Sequence, residues 1–281
     1  MMIFEKIYKF DKKQALKDII KRYKEQWFWV VNYLYFANLV SNGIISGKKI
    51  NRAFLEALSH WDFLLPDWIA LQLYYKKYFW ISLKNLNGTD FAEYVLKNLK
   101  PAEYNLILYW AKKEVVEKAV ENIEQKYGIK IAYFQDGYSE FDFEKLDELW
   151  KDFYFSWETW KLVWIPRLNE IQSGWVFEGY EVNNKNSFSK QKINIFMVWL
   201  WTPKQEIWIK NNLENIKKYN LLAFSQWGTF DFWAGNEKRA PQIFIKLKLE
   251  WFWRFLTNPK KNFKKVWYSL YLFYYLYWKR R

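Results

Sequence analysis

The sequence predicts an α/β fold, a Rossmann-like, mostly parallel sheet flanked by helices, with a C-terminal helical appendage. Three observations carry this. Short runs of β-branched and aromatic residues alternate with segments whose apolar residues recur at helical spacing. NLILY (105–109), the helix KKEVVEKAVENIEQKYG closed by Gly128, and IKIAYF (129–134) form a strand–helix–strand unit whose parallel strands need a crossover. A second unit runs from Ile193 to Pro241, where INIFMVWLW, a Pro-opened amphipathic helix, an apolar strand around LLAFS and a turn ending in KRAP follow one another.

Taken in order, residues 12–25 carry Ala15, Leu16, Ile19 and Ile20 on one helical face, and WFWVVNYLYFANLV (27–40) reads as a strand. A helix over Lys49–Ser59 and a short strand over Asp62–Leu65 follow, ending at Pro66-Asp67. There Asp67 is placed to cap the helix that begins at Ile69. Residues 81–90 form a polar turn before another helix. Residues 150–190 hold scattered aromatics and the polar run NNKNSFSKQK, and read as an insertion. Beyond Pro241 a helix runs through KLKLEWFWRFL. The expected division is an α/β domain over 1–245 and a basic, aromatic appendage over 246–281.

Composition narrows the chemistry. With 51% hydrophobic and 26% charged residues the chain is globular. It has no cysteine, which excludes disulfides, thiolate metal sites and cysteine nucleophiles and fits a reducing compartment. Its one histidine, His60, reads as structural, and no Asp-x-Asp pair is present, so neither a metal nor a cofactor is expected. The net charge of +14 is concentrated: residues 246–281 hold ten Lys/Arg against Glu250 alone. Such a tail calls for an anionic partner. The start, MMIFEKIYKFDKKQ, lacks the apolar core of a signal peptide, and no segment reaches the roughly 20 apolar residues needed to span a bilayer. The expectation is a cytoplasmic protein, peripheral on the inner face of the membrane. The run Val266–Trp278, bracketed by Lys260, Lys261, Lys264 and Lys265 and by Lys279, Arg280 and Arg281, reads as its interfacial anchor. A core helix or a homo-oligomer interface is the alternative. Nucleic acid is not expected, because the apolar block is contiguous rather than interleaved with charge.

Several motifs are collinear with one known family. LPDWIALQL (65–73), NLNGTDF (85–91), NLILYWAKKEVVEKA (105–119), DGY (136–138), VWLWTPKQEIWI (198–209), GTFDFWAG (228–235), KRAP (238–241) and LEWFWRFLTNP (249–259) resemble the successive signatures of the WecG/TagA/CpsF glycosyltransferases, glycosyltransferase family 26. The similarity spans residues 28–140 and 193–265. It implies an inverting, metal-independent transferase on a Rossmann-like fold. Such an enzyme moves an N-acetylmannosamine-type sugar from a UDP-sugar donor to an undecaprenyl-diphosphate-linked aminosugar, with a C-terminal appendage docking it on the bilayer.

Residue by residue, the resemblance makes Asp67 the catalytic base that takes a proton from the acceptor hydroxyl. Its plainer role is the helix cap. Asn38 and Gln205 match donor-binding amides, though Gln205 on its own is a solvent-facing helix residue, and Thr89, Trp199 and Trp201 fall in the donor-binding turns. Arg254 matches an arginine of the appendage motif. Lys261 and Lys264 stand where two more arginines are usual, keeping the charge but losing the bidentate fork. Arg239 of KRAP completes the phosphate- and lipid-binding set; a solvated surface charge is its alternative.

Trp199 and Trp201 depart from the family string V-G-L-G-x-P-K-Q-E. The same exchange of glycine for tryptophan recurs at Trp68, Trp110 and Trp227, and extends to Trp61, Trp80 and Trp175, whereas Trp208 and Trp251 are tryptophans the family itself uses. Average glycine usage of about 7% would give roughly 20 glycines in this length. The chain has 9, and 20 tryptophans. One account is that the source organism reads UGA as glycine. The other is a divergent protein whose nucleotide turns are filled by indoles, which then fails to bind UDP. UGG codons at 68, 110, 199, 201 and 227 would exclude the first.

Overall fold

The computed structural model describes residues 2–26, 28–45, 47, 49–67, 69–110, 112–151, 160–165, 174–179, 192–226, 229–236, 239–247 and 250–257, together with 259, 263, 267 and 274. A short helix α1 (Met2–Glu5) precedes α2 (Lys12–Gln26), whose Ala15, Leu16, Ile19 and Tyr23 share one buried face. Strand β1 covers Trp29–Tyr35 and gives way to α3 (Phe36–Ser41). FANLV is thus helical, not the end of a long strand. Phe36, Leu39 and Val40 recur at the helical interval and are all buried, so the 3.6 period overrides the β-favouring composition.

Helix α4 (Arg52–Ser59) starts later than expected because the Asn51 side chain caps it, accepting from the Phe54 N–H at 3.1 Å. Strand β2 (Phe63–Asp67) runs on through Pro66, which an edge strand tolerates because one side of its backbone has no ladder to complete. Next come α5 (Ile69–Phe79), α6 (Gly88–Asn98), β3 (Tyr104–Trp110), α7 (Lys113–Tyr127) and β4 (Ile131–Asp136). Gly128 ends α7 at φ 65°, the left-handed C-terminal geometry glycine allows.

Helix α8 (Glu144–Lys151) precedes a separate antiparallel pair, β5 (Trp160–Ile165) and β6 (Gly174–Gly179), within the segment read as an insertion. The chain then forms β7 (Ile193–Trp199), α9 (Lys204–Asn211), α10 (Leu213–Lys218), β8 (Leu221–Ser225) and α11 (Thr229–Trp233). Past Pro241 the expected single helix is two, α12 (Gln242–Lys246) and α13 (Glu250–Thr257). Most of the aromatic run 266–278 lies outside the described residues.

Six strands make one wholly parallel sheet in the order β2-β1-β8-β7-β3-β4. Alternate side chains point to opposite faces, so each face builds its own core. On one, Val31, Leu106, Leu108, Ile195, Met197 and Phe224 meet α2, α6, α7 and α11. On the other, Val30, Leu34, Ile107, Phe196, Val198 and Ala223 meet α3, α4, α5, α9 and α10. With both faces covered, the strands read as near-continuous apolar runs. Phe196 is fully buried in the second core against Phe141, Phe143 and Trp208. Phe196→Ala should lower unfolding free energy by about 3–5 kcal/mol in urea titrations.

Candidate active site

The carboxyl ends of the parallel strands share one edge, and most of the site residues expected from sequence lie along it. Strands β1 and β2 finish together, with Tyr35 opposite Asp67. Asp67 is the last strand residue and only 2% exposed. Its Oδ2 accepts from the Gly88 N–H at 2.8 Å. The carboxylate therefore holds the start of α6, a contact the motif reading did not anticipate. A helix start carries a partial positive charge, which attracts a carboxylate placed against it.

Around this helix start the fold gathers two further expected residues. Thr89 is buried beside Gly88. Asn87 caps the helix, accepting from the Asp90 N–H at 2.8 Å and donating to the Asp90 carboxylate at 2.6 Å. Arg239 comes in from KRAP and ion-pairs with Asp90. It is thus a placed cation, not merely a solvated one. Tyr33 stands nearby, its phenol pushed up first by burial and also by the charge of Asp67, against a lowering hydrogen bond from Gln226.

A second polar group lies at the start of α9. The Asn38 amide, on α3 and not at a strand end, donates to Thr202 Oγ1 at 3.0 Å. Thr202 passes its own proton to Glu206 Oε1 at 2.8 Å, and Gln205 Nε2 donates to the same oxygen at 3.1 Å. Gln205 is buried, which overturns the solvent-facing reading, and its Oε1 has no hydrogen-bond partner among the described residues. Glu206 escaped the sequence reasoning because a glutamate in a first helical turn ordinarily faces water. The signals were its place as the last letter of the string V-G-L-G-x-P-K-Q-E and Thr202 four residues earlier, the spacing at which side chains meet across a turn. The floor continues through Ser225, which donates to Asn32 Oδ1, and Thr229, which donates to Gln226 Oε1 at 3.1 Å.

Trp110 and Trp199, the last residues of β3 and β7, are register partners and buried, with ring centres 5.1 Å apart. Trp201 follows in the turn, half exposed, 5.0 Å from the Trp199 ring. Arg254 lies on α13, and Lys261 and Lys264 fall outside the described residues. His60 sits at the C-terminus of α4, its Nδ1 2.9 Å from the Glu56 carbonyl, away from this edge. A groove of about 310 Å³ between α7 and α11, lined by Asn122, Lys126 and Trp233, contains none of the expected residues.

Burial raises the affinity of Glu206 for its proton, opposed by the Gln205, Thr202 and Asn32 hydrogen bonds. A carboxyl whose folded pKa is raised stabilises the fold below the ordinary carboxylate range and loses that contribution as pH rises. Gln mimics the protonated acid at every pH. The Tm of Glu206→Gln should therefore gain on the parent progressively from about pH 4 upward, measured by thermal melts across pH. A constant offset would contradict this.

The family model for glycosyl transferases of the WecG/TagA/CpsF family matches residues 4–152 and 182–281, reaching further toward both ends than the motifs alone and leaving 153–181 unmatched. Among characterised relatives, the N-acetylglucosaminyldiphosphoundecaprenol N-acetyl-beta-D-mannosaminyltransferase of Bacillus spizizenii is 26% identical over 212 residues, covering 75% of this chain and 66% of the relative. Its Bacillus subtilis namesake is 27% identical over 214 residues, covering 74% and 66%. The Staphylococcus aureus namesake is 22% identical over 237 residues, covering 81% and 77%. The matched region thus spans just under two thirds of the two Bacillus proteins' own length. A family match over most of the chain, on a wholly parallel α/β sheet, places this chain in the WecG/TagA/CpsF glycosyl transferase family.

Proposed function

We propose that this chain is an inverting glycosyltransferase that moves an N-acetylmannosamine-type sugar from a UDP donor to an undecaprenyl-diphosphate-linked aminosugar, without a metal ion. The observation that carries the proposal is Asp67, a buried carboxylate at the carboxyl edge oriented by the Gly88 N–H. The names of the relatives support the acceptor and the sugar. In the reaction the acceptor hydroxyl gives its proton to Asp67 as its oxygen bonds the anomeric carbon. The bond from that carbon to UDP breaks on the opposite face, and its electron pair leaves with the diphosphate. Asn38 and Gln205 hold the donor sugar, and Arg239, with Arg254, Lys261 and Lys264 of the appendage, offsets the phosphate charge.

The working division is a transferase domain over 1–245 and an appendage over 246–281 that docks on an anionic membrane surface from the cytoplasmic side. Phe252 and Leu256 of α13 are exposed, as are Phe263, Trp267 and Tyr274. Among the described residues no helix is long and apolar enough to cross a membrane.

A membrane-bound preparation of the protein from its source cells should transfer sugar from UDP-N-acetylmannosamine to a GlcNAc-diphospho-polyprenol analogue in the presence of EDTA. No turnover across several UDP-sugars would sink the proposal. Asp67→Asn should lower kcat by about 10²–10⁴ with little change in Tm, because a carboxamide oxygen still accepts from the Gly88 N–H. Replacing Phe263, Trp267 and Tyr274 together by Ser should weaken sedimentation with anionic vesicles by roughly a hundredfold. Unchanged sedimentation would remove the docking role.

A further inference from the structure

Two tryptophans occupy backbone that suits glycine. Trp80 and Trp201 have φ of 59° and 61°, in the left-handed region where a side chain crowds the backbone. Trp80 directly follows α5, the place Gly128 holds after α7 at φ 65°. Trp201 opens the turn into α9, its carbonyl accepting from the Gln205 N–H at 3.0 Å. Their exposures of 78% and 51% leave little burial to offset the strain.

Two more fill the place where an open parallel sheet presents a crevice. The connection from β3 runs over α7 on one face to β4, while that from β7 runs over α9 and α10 on the other face to β8. The chain therefore turns in opposite directions from two adjacent strands, and ligands of such sheets bind outside the strand ends at that point. Trp110 and Trp199 occupy it. Among the described residues both indole nitrogens are buried without a hydrogen-bond partner, although buried indoles usually find one. The Trp110 ring centre lies 3.8 Å from that of Phe230 at a 54° tilt, closer than aromatic pairs normally approach. Trp208 is the contrast, stacked on Phe143 at 6.0 Å and 7° and packed against Tyr109 at 5.0 Å.

We infer that Trp80, Trp110, Trp199 and Trp201 stand where the working protein carries glycine, through a UGA codon that its source reads as glycine. Glycine at 110, 199 and 201 empties the crevice and exposes backbone N–H groups that suit a diphosphate. That second step rests on the transferase reading.

Peptide mass spectrometry of the protein from its source cells tests the assignment directly. Peptides spanning 80, 110, 199 and 201 should carry glycine masses and the peptide spanning 208 a tryptophan mass. Tryptophan at 80 and 201 overturns the inference. In the chain as written, Trp80→Gly and Trp201→Gly should each raise Tm by about 2 °C, while Trp208→Gly lowers it; a loss of Tm from both of the first two counts against the inference. Calorimetry with UDP then separates the crevice from the assignment. Binding only by the Trp110→Gly/Trp199→Gly/Trp201→Gly chain supports occlusion, and equal binding by both chains overturns it. Binding by neither, with glycine found in the native peptides, counts against the transferase reading instead.

Discussion

The hydrogen bond from the Gly88 N–H to Asp67 is the contact on which the site depends. A carboxylate this deeply buried is tolerated only with a partner that favours its charge, and a helix N-terminus supplies both a donor and a positive potential. The same bond ties β2 to α6. Because Asn87 caps that helix and holds Asp90, and Asp90 holds Arg239, Asp67, the helix start and a cation form one connected unit. A displacement of α6 would therefore move Asp67 and Arg239 together. The rest of the fold makes this arrangement necessary: both faces of the sheet are sealed by helices, so only the strand ends remain for chemistry.

The strand–helix alternation was legible because a doubly covered parallel sheet writes its strands as solid apolar runs. β3, β7 and β8 stood out for that reason. Where the structure differs, a specific force decides. FANLV composes like a strand but is spaced like a helix, and three buried side chains at that spacing win. Strand β2 outlasts its proline because it lies at the sheet edge.

The site was legible only in part. Asp67, Asn38, Gln205, Thr89 and Arg239 came from motif resemblance, which names residues but not the partners that hold them. Glu206 closes the V-G-L-G-x-P-K-Q-E string, but the string gives no role for it and its helical position is ordinary. Only the tertiary fold shows that its carboxylate takes the Thr202 hydroxyl and the Gln205 amide while Thr202 receives Asn38. Two amides from segments far apart in the chain thus take their orientation from one buried carboxyl, which no local pattern encodes.

The tryptophans show why stability and function separate at this edge. An indole at the end of a strand is good for the sheet: it is β-favouring, large, and able to pack on a cross-strand partner, as Trp110 does on Trp199. Nothing in the assembly of the parallel sheet rejects it. The objection comes from backbone angle and polar satisfaction, at Trp80 and Trp201 through positive φ and at Trp110 and Trp199 through buried, unpartnered nitrogens. Folding can absorb a few such penalties, since each is small beside the burial of two cores. On the transferase reading a nucleotide could not, because the volume it would need is already taken. Three indoles, at 110, 199 and 201, can therefore leave the architecture whole while filling the crevice that the topology opens.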